Sequence, residues 1–192
     1  MGSRAPDPMS APAPDTSPDA PLTLWLTGLS GAGKTTLAQT LSRALNERGR
    51  RCVVLDGDTL RRGLNRDLGF RAHERSENIR RAAEVARLMN DAGLIVVAAL
   101  ISPLRTDRAH ASSIIGAHRF LEIHVSTPLE VCEAADVKGL YRQARRGELA
   151  LFTGVSAPYE APEAPRLAIN PMRTGLRPAV NELLALIGEA TP

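Results

Sequence analysis

Short, nearly uninterrupted apolar runs recur along the chain, at 22–27, 51–55, 94–100, 120–125 and 166–169. Their length and β-branched content predict strands buried on both faces. Between them lie longer segments whose apolar positions recur at helical spacing. One spans 34–48 and ends at Gly49; another spans 75–91, with a stripe at Ile79, Ala82, Ala83, Ala86 and Met89, and ends at Gly93. Further helices are expected over 106–115, from Pro128, and over 175–187. Strands alternating with helices predict an α/β fold, a parallel sheet with right-handed crossovers and helices on both faces.

The polar stretches complete the outline. Residues 1–20 are rich in Pro, Ala, Ser and Asp with almost nothing to bury, and are expected to form a disordered tail. Residues 21–192 then make one domain. Residues 61–70 read as a loop, and about 133–160, polar and punctuated by glycine, as a mobile lid over whatever binds.

The first predicted strand runs into Gly28-Leu29-Ser30-Gly31-Ala32-Gly33-Lys34-Thr35-Thr36 and on into a helix. This is the G-x-x-x-x-G-K-[ST] phosphate-binding loop in its expected setting, which makes the fold a P-loop NTPase-type three-layer sandwich. Main-chain N–H groups of Gly28, Ser30, Gly31, Ala32, Gly33, Lys34, Thr35 and Thr36 would wrap the phosphates of ATP at the positive end of the helix. Lys34 would hold the β- and γ-phosphates, and the Thr35 hydroxyl would complete the shell of Mg²⁺.

Composition narrows the class. A net charge of +3 without a block of Lys or Arg, and aromatics at only 3%, argue against a nucleic-acid partner and for a small anionic ligand. Cys52 and Cys132 lie far apart in apolar settings and read as free thiols in a reducing compartment. With no apolar run long enough for a bilayer and no signal-peptide core, a cytoplasmic, membrane-free protein is expected. The four histidines share no metal-ligand spacing.

The second strand delivers Asp56-Gly57-Asp58 to the sheet edge that carries the phosphate loop. No guanine-reading sequence appears, so a small-molecule kinase is favoured over a GTP switch. Asp58 could organise the metal and accept a proton from an attacking hydroxyl; Asp56 reads equally well as part of a turn. Arg61, Phe70, Arg75 and Asn78 follow, with Arg75 and Asn78 one helical turn apart. Together they suit an acceptor with an anionic end and a flat ring.

These motifs, with Leu55-Asp56-Gly57-Asp58, Gly63-Leu64-Asn65-Arg66-Asp67-Leu68-Gly69-Phe70, Arg75-Ser76-Glu77-Asn78-Ile79-Arg80-Arg81, Ile101-Ser102-Pro103, Lys138-Gly139-Leu140-Tyr141 and Phe152-Thr153-Gly154, resemble adenylylsulfate (APS) kinase over roughly 21–187. The resemblance implies transfer from Mg·ATP to the 3′-hydroxyl of adenosine 5′-phosphosulfate. It implies an acceptor site at Asp58, Arg61, Phe70, Arg75, Asn78, Ile101, Ser102, Lys138 and Phe152, with Leu151 alongside and adenine between the two phenylalanines. It matches Ser102 to a serine described in bacterial members as a phosphoserine intermediate, although direct in-line transfer needs no such relay. A homodimer and a sulfurylase partner are further expectations of the same kind.

The chain departs from the family at four places: Ala135 stands for an arginine, Leu151 for a glycine, Leu104 for an aromatic, and Asn170-Pro171-Met172-Arg173-Thr174 for an acidic or threonine-containing loop. These changes bear on the donor side and the lid. They keep two alternatives open, a kinase of another nucleotide or alcohol on the same fold, and a weakly catalytic nucleotide-binding subunit.

Overall fold

The computed structural model describes residues 20–189; residues 1–19 of the expected tail lie outside them. Among the described residues, five strands form a parallel sheet in the order β2-β3-β1-β4-β5. In chain order the elements are β1 (Thr23–Thr27), α1 (Lys34–Asn46), β2 (Cys52–Asp56), α2 (Gly57–Arg62), α3 (Ala72–Asp91), β3 (Ile95–Ala99) and α4 (Arg105–Ile115). There follow β4 (Phe120–Val125), α5 (Leu129–Ala135), α6 (Leu140–Arg145), β5 (Leu167–Ile169), α7 (Pro171–Thr174) and α8 (Leu176–Glu189).

Side chains alternate across a strand, and here the alternation builds two cores. Leu24 and Leu26 of β1 and Val97 of β3 face one side, packed with Leu37, Leu41 and Leu45 of α1 and Leu183 and Ile187 of α8. Trp25, Val96 and Ala98 face the other, packed with Ile79, Ala82, Ala83 and Ala86 of α3 and Ala111 and Ile115 of α4. Helices therefore cover both faces, which gives the expected three layers.

Three segments differ from the sequence expectation. The 61–70 loop is preceded by a short helix, α2, because the Asp56 carboxylate accepts the N–H groups of Asp58 and Thr59 at 3.1 Å and caps it. The third helix starts at Ala72 rather than at 75, because the Glu74 carboxylate reaches back to the Arg71 N–H at 2.9 Å. The lid contains α6, and Tyr141 within it is 2% exposed, anchored in the first core rather than lying as surface cover.

Sheet order places the functional segments. β1 lies between β3 and β4, so the loops after β1, β2, β3 and β4 leave the same carboxyl edge beside the reversal in strand order, where ligands bind in such sheets. No helix of the described residues is long and apolar enough to cross a membrane.

Candidate active site

The phosphate loop closes tightly on the sheet. Gly28 has φ 153°, and a Cβ there would lie 2.5 Å from the Val125 carbonyl oxygen, so no side chain fits. Gly33, at φ 98°, precedes α1, whose first turn receives no side-chain cap. Its N–H groups are thereby left for an anion. The Lys34 ammonium donates to the carbonyls of Gly28 (2.8 Å) and Leu29 (2.7 Å), with a third N–H to spare. Burial lowers its pKa to about 8; the nearby Asp56 and Asp58 carboxylates push it the other way.

The sequence reading set Thr35 with Asp58 for the metal. In the structure the Thr35 hydroxyl donates to Asp56 Oδ2 at 2.8 Å, while Asp56 Oδ1 caps α2. Asp56 is thus the turn-forming residue of the sequence reading and, beyond that reading, a partner of the phosphate loop. Asp58 instead meets the lid, its carboxylate ion-paired with Lys138. Among the described residues no cluster of three metal-ligating side chains occurs. One hydroxyl and two carboxylates beside a phosphate loop suit Mg²⁺, a hard cation that keeps much of its water shell.

Several of the residues expected to bind an acceptor lie on or beside α3. Arg61 donates to the carbonyls of Leu68 and Gly69 at 3.2 and 2.9 Å, and its guanidinium carbon lies 4.4 Å from the Phe70 ring centroid. Arg75 lies 5.7 Å from the same centroid. Its Nε donates to the Phe70 carbonyl and Nη1 to the Thr153 hydroxyl, both at 2.8 Å, and Nη2 to the Leu151 carbonyl. One guanidinium thus joins the loop that carries Phe70 to the residues on either side of Phe152, leaving one N–H on each Nη. Phe70 is 56% exposed, whereas Phe152 stands edge-on to Tyr141 at 5.0 Å. Asn78 is buried and accepts from Asn65 Nδ2 at 2.9 Å.

After β3, the Ile101 carbonyl accepts from the Thr27 hydroxyl at 2.8 Å. Ser102 has φ 38° and is 2% exposed; its hydroxyl accepts from the Trp25 indole N–H at 3.1 Å. That hydroxyl is held against the second core, away from solvent. Leu151, where the resemblance implies a glycine, has φ 58°, the left-handed region that a glycine enters without strain.

Several contributors escaped the sequence reading. Tyr141 donates to the Ser30 carbonyl at 2.9 Å, tying lid to phosphate loop. Thr127 donates to the Ala32 carbonyl at 2.9 Å from the end of β4. Of the two, only Tyr141 carried a signal in the sequence, as the aromatic that closes Lys138-Gly139-Leu140-Tyr141. The arginines of the lid pair locally, Arg142 with Asp136, Arg145 with Glu133 and Arg146 with Glu148. Cys52 and Cys132 are both free thiols, as expected.

A family model for adenylylsulphate kinase matches residues 20–170. An adenylyl-sulfate kinase from Phocaeicola vulgatus is 56% identical over 164 residues, covering 85% of this chain and 80% of that protein. One from Shewanella denitrificans is 54% identical over 167 residues, covering 87% and 82%. Among solved structures, that of the Mycobacterium tuberculosis APS kinase CysC in complex with AMPPNP and APS is similar, with a TM-score of 0.84 and 44% identity. The match covers 88% of this chain and 98% of that one. The chain belongs to the adenylylsulphate kinase family.

Proposed function

We propose that the protein transfers the γ-phosphoryl group of ATP to the 3′-hydroxyl of adenosine 5′-phosphosulfate, giving 3′-phosphoadenosine 5′-phosphosulfate and ADP. The observation that carries this reading is the continuity of the site. The Thr35 hydroxyl of the phosphate loop donates to Asp56, which also accepts the Asp58 N–H; the Asp58 carboxylate pairs with Lys138, and Arg61 and Arg75 both lie against the Phe70 ring. A donor tail and an anionic, ring-bearing acceptor can therefore meet at Asp58.

In this reading Gly28, Ser30, Gly31, Ala32, Gly33 and Thr36 line the donor phosphates and Lys34 neutralises them. Thr35, Asp56 and Asp58 would hold Mg²⁺, which when bound offsets the charge of the phosphate oxygens. Phe70 and Phe152 offer ring faces to adenine, while Arg61, Arg75 and Lys138 meet the phosphosulfate. Asn78, Ile101 and Leu151 shape the remaining wall. The acceptor oxygen attacks the γ-phosphorus, the bond to the bridging oxygen of ADP breaks, and Asp58 takes the hydroxyl proton.

The M. tuberculosis complex with AMPPNP and APS supports this assignment of ligands. Ser102 enters through its backbone, since its hydroxyl is engaged by Trp25. The test is direct: purified protein with Mg·ATP and adenosine 5′-phosphosulfate should release one ADP per 3′-phosphorylated product, resolved by chromatography. ADP release at the same rate without acceptor would contradict it.

A further inference from the structure

The Ser102 backbone is strained, and strain of this kind persists only where neighbours over-determine it. Three side chains hold the residue. Thr27 Oγ1 lies 3.3 Å from the Ser102 carbonyl oxygen, Trp25 Nε1 donates to the hydroxyl oxygen, and Arg108 Nη1 donates to that carbonyl at 2.8 Å.

Arg108 does more than the other two. It is 2% exposed, and its Nε donates to Glu122 Oε1 of β4 at 2.6 Å while Nη2 donates to the Glu160 carbonyl at 2.8 Å. One buried guanidinium thus bridges the sheet, the wall at Ser102 and the last residue of the lid. Two further contacts reinforce the junction. Glu160 N–H donates to the Pro103 carbonyl at 2.9 Å, and the Glu160 carboxylate accepts the Arg105 N–H at 2.8 Å. The far end of the lid is therefore fastened to the segment that carries Ser102.

We propose that Arg108 is a positioning residue for the acceptor: it sets Ile101 and Ser102 against the pocket and fixes the lid's C-terminal anchor to that wall. It touches neither donor nor acceptor. The inference rests on the acceptor reading above, because Ser102 is placed on the acceptor's side only there. A lysine at this position keeps the charge opposite Glu122 but has no planar fork with which to reach Glu122, Ser102 and Glu160 together.

The test is Arg108→Lys, with Glu122→Gln as the second variant, which weakens the hold on Arg108 without removing the guanidinium. Misplacing a wall by about 1 Å can cost up to about a hundredfold. Arg108→Lys should raise the KM for adenosine 5′-phosphosulfate about tenfold or more while the KM for ATP stays within about twofold. Glu122→Gln should move the same constant in the same direction by less. Hydrogen exchange at the Arg105 and Glu160 amides should accelerate in Arg108→Lys, with phosphate-loop amides unchanged. A merely structural role predicts a smaller active fraction, hence lower kcat with both KM values unchanged, and that result overturns the proposal. Should Arg108→Lys not fold, an unchanged acceptor KM in Glu122→Gln overturns it instead. Failure of the functional reading looks different: the unsubstituted protein itself would not turn over this acceptor.

Discussion

Arg75 on α3 donates to the hydroxyl of Thr153 in the lid at 2.8 Å, although the two residues are 78 positions apart. The same guanidinium holds the Phe70 carbonyl, so the lid and the ring-bearing wall share one cation. Arg75→Lys should therefore raise the acceptor KM about ten- to a hundredfold, about 1.4–2.7 kcal/mol, because a point charge cannot serve three acceptors in a plane. Steady-state kinetics with varied acceptor checks this, and a shift under twofold would count against the shared tether.

Lys34 makes the donor side pH-dependent. Burial brings its pKa to about 8, so in the free enzyme the ammonium is charged below that pH and neutral above it. The KM for ATP should be flat below pH 8 and climb above it, approaching about tenfold per pH unit. Stability moves the opposite way. The unfolded chain, with a lysine near 10.5, binds more protons between pH 8 and 10.5, so this group adds stability as pH rises through that window. A donor KM flat to pH 9.5 would contradict the assignment.

Trp25 and Ser102 bear on the transfer route. Ser102 is 2% exposed and its hydroxyl accepts the indole N–H, so it is poorly set to receive a phosphoryl group. Ser102→Ala should keep turnover within about fivefold and lower stability by about 1–2 kcal/mol, the cost of stranding a buried donor. Loss of turnover with a phosphoserine recovered from the unsubstituted protein would reverse this.

The two aspartates after β2 should separate by substitution. Asp58→Ala removes the proposed proton acceptor and the partner of Lys138, so kcat should fall about a hundredfold or more while nucleotide binding stays measurable. Asp56→Ala removes a helix cap and the partner of Thr35, and should cost about 1 kcal/mol of stability together with a higher Mg²⁺ requirement. Thermal melts and Mg²⁺ titrations distinguish them; near-normal turnover in Asp58→Ala would remove it from the chemistry.

The strands and long helices were legible because buried parallel strands are written as apolar runs and α3 as a stripe from Ile79 to Ala86. The phosphate loop was legible from spacing alone. Six-residue α2 was not, being too short to show a period, although Asp56 two and three residues ahead of Asp58 and Thr59 is a capping signal. The lid was read from its polarity, which hid Tyr141 beneath it. Pairings such as Thr35 with Asp56, or Arg108 with Glu160, join segments 21 and 52 residues apart, and only the assembled sheet edge brings them together.

The proposed transfer depends on which acceptor binds beside Phe70, Arg75 and Lys138. The decisive measurement is kcat/KM, by coupled ADP release, for adenosine 5′-phosphosulfate against adenosine 5′-monophosphate, adenosine and unrelated alcohols. Charged groups placed for the phosphosulfate predict a preference of at least about a hundredfold over the non-sulfated nucleotide, since unpaired guanidiniums penalise its absence. Equal or better turnover of a non-sulfated acceptor would contradict the account.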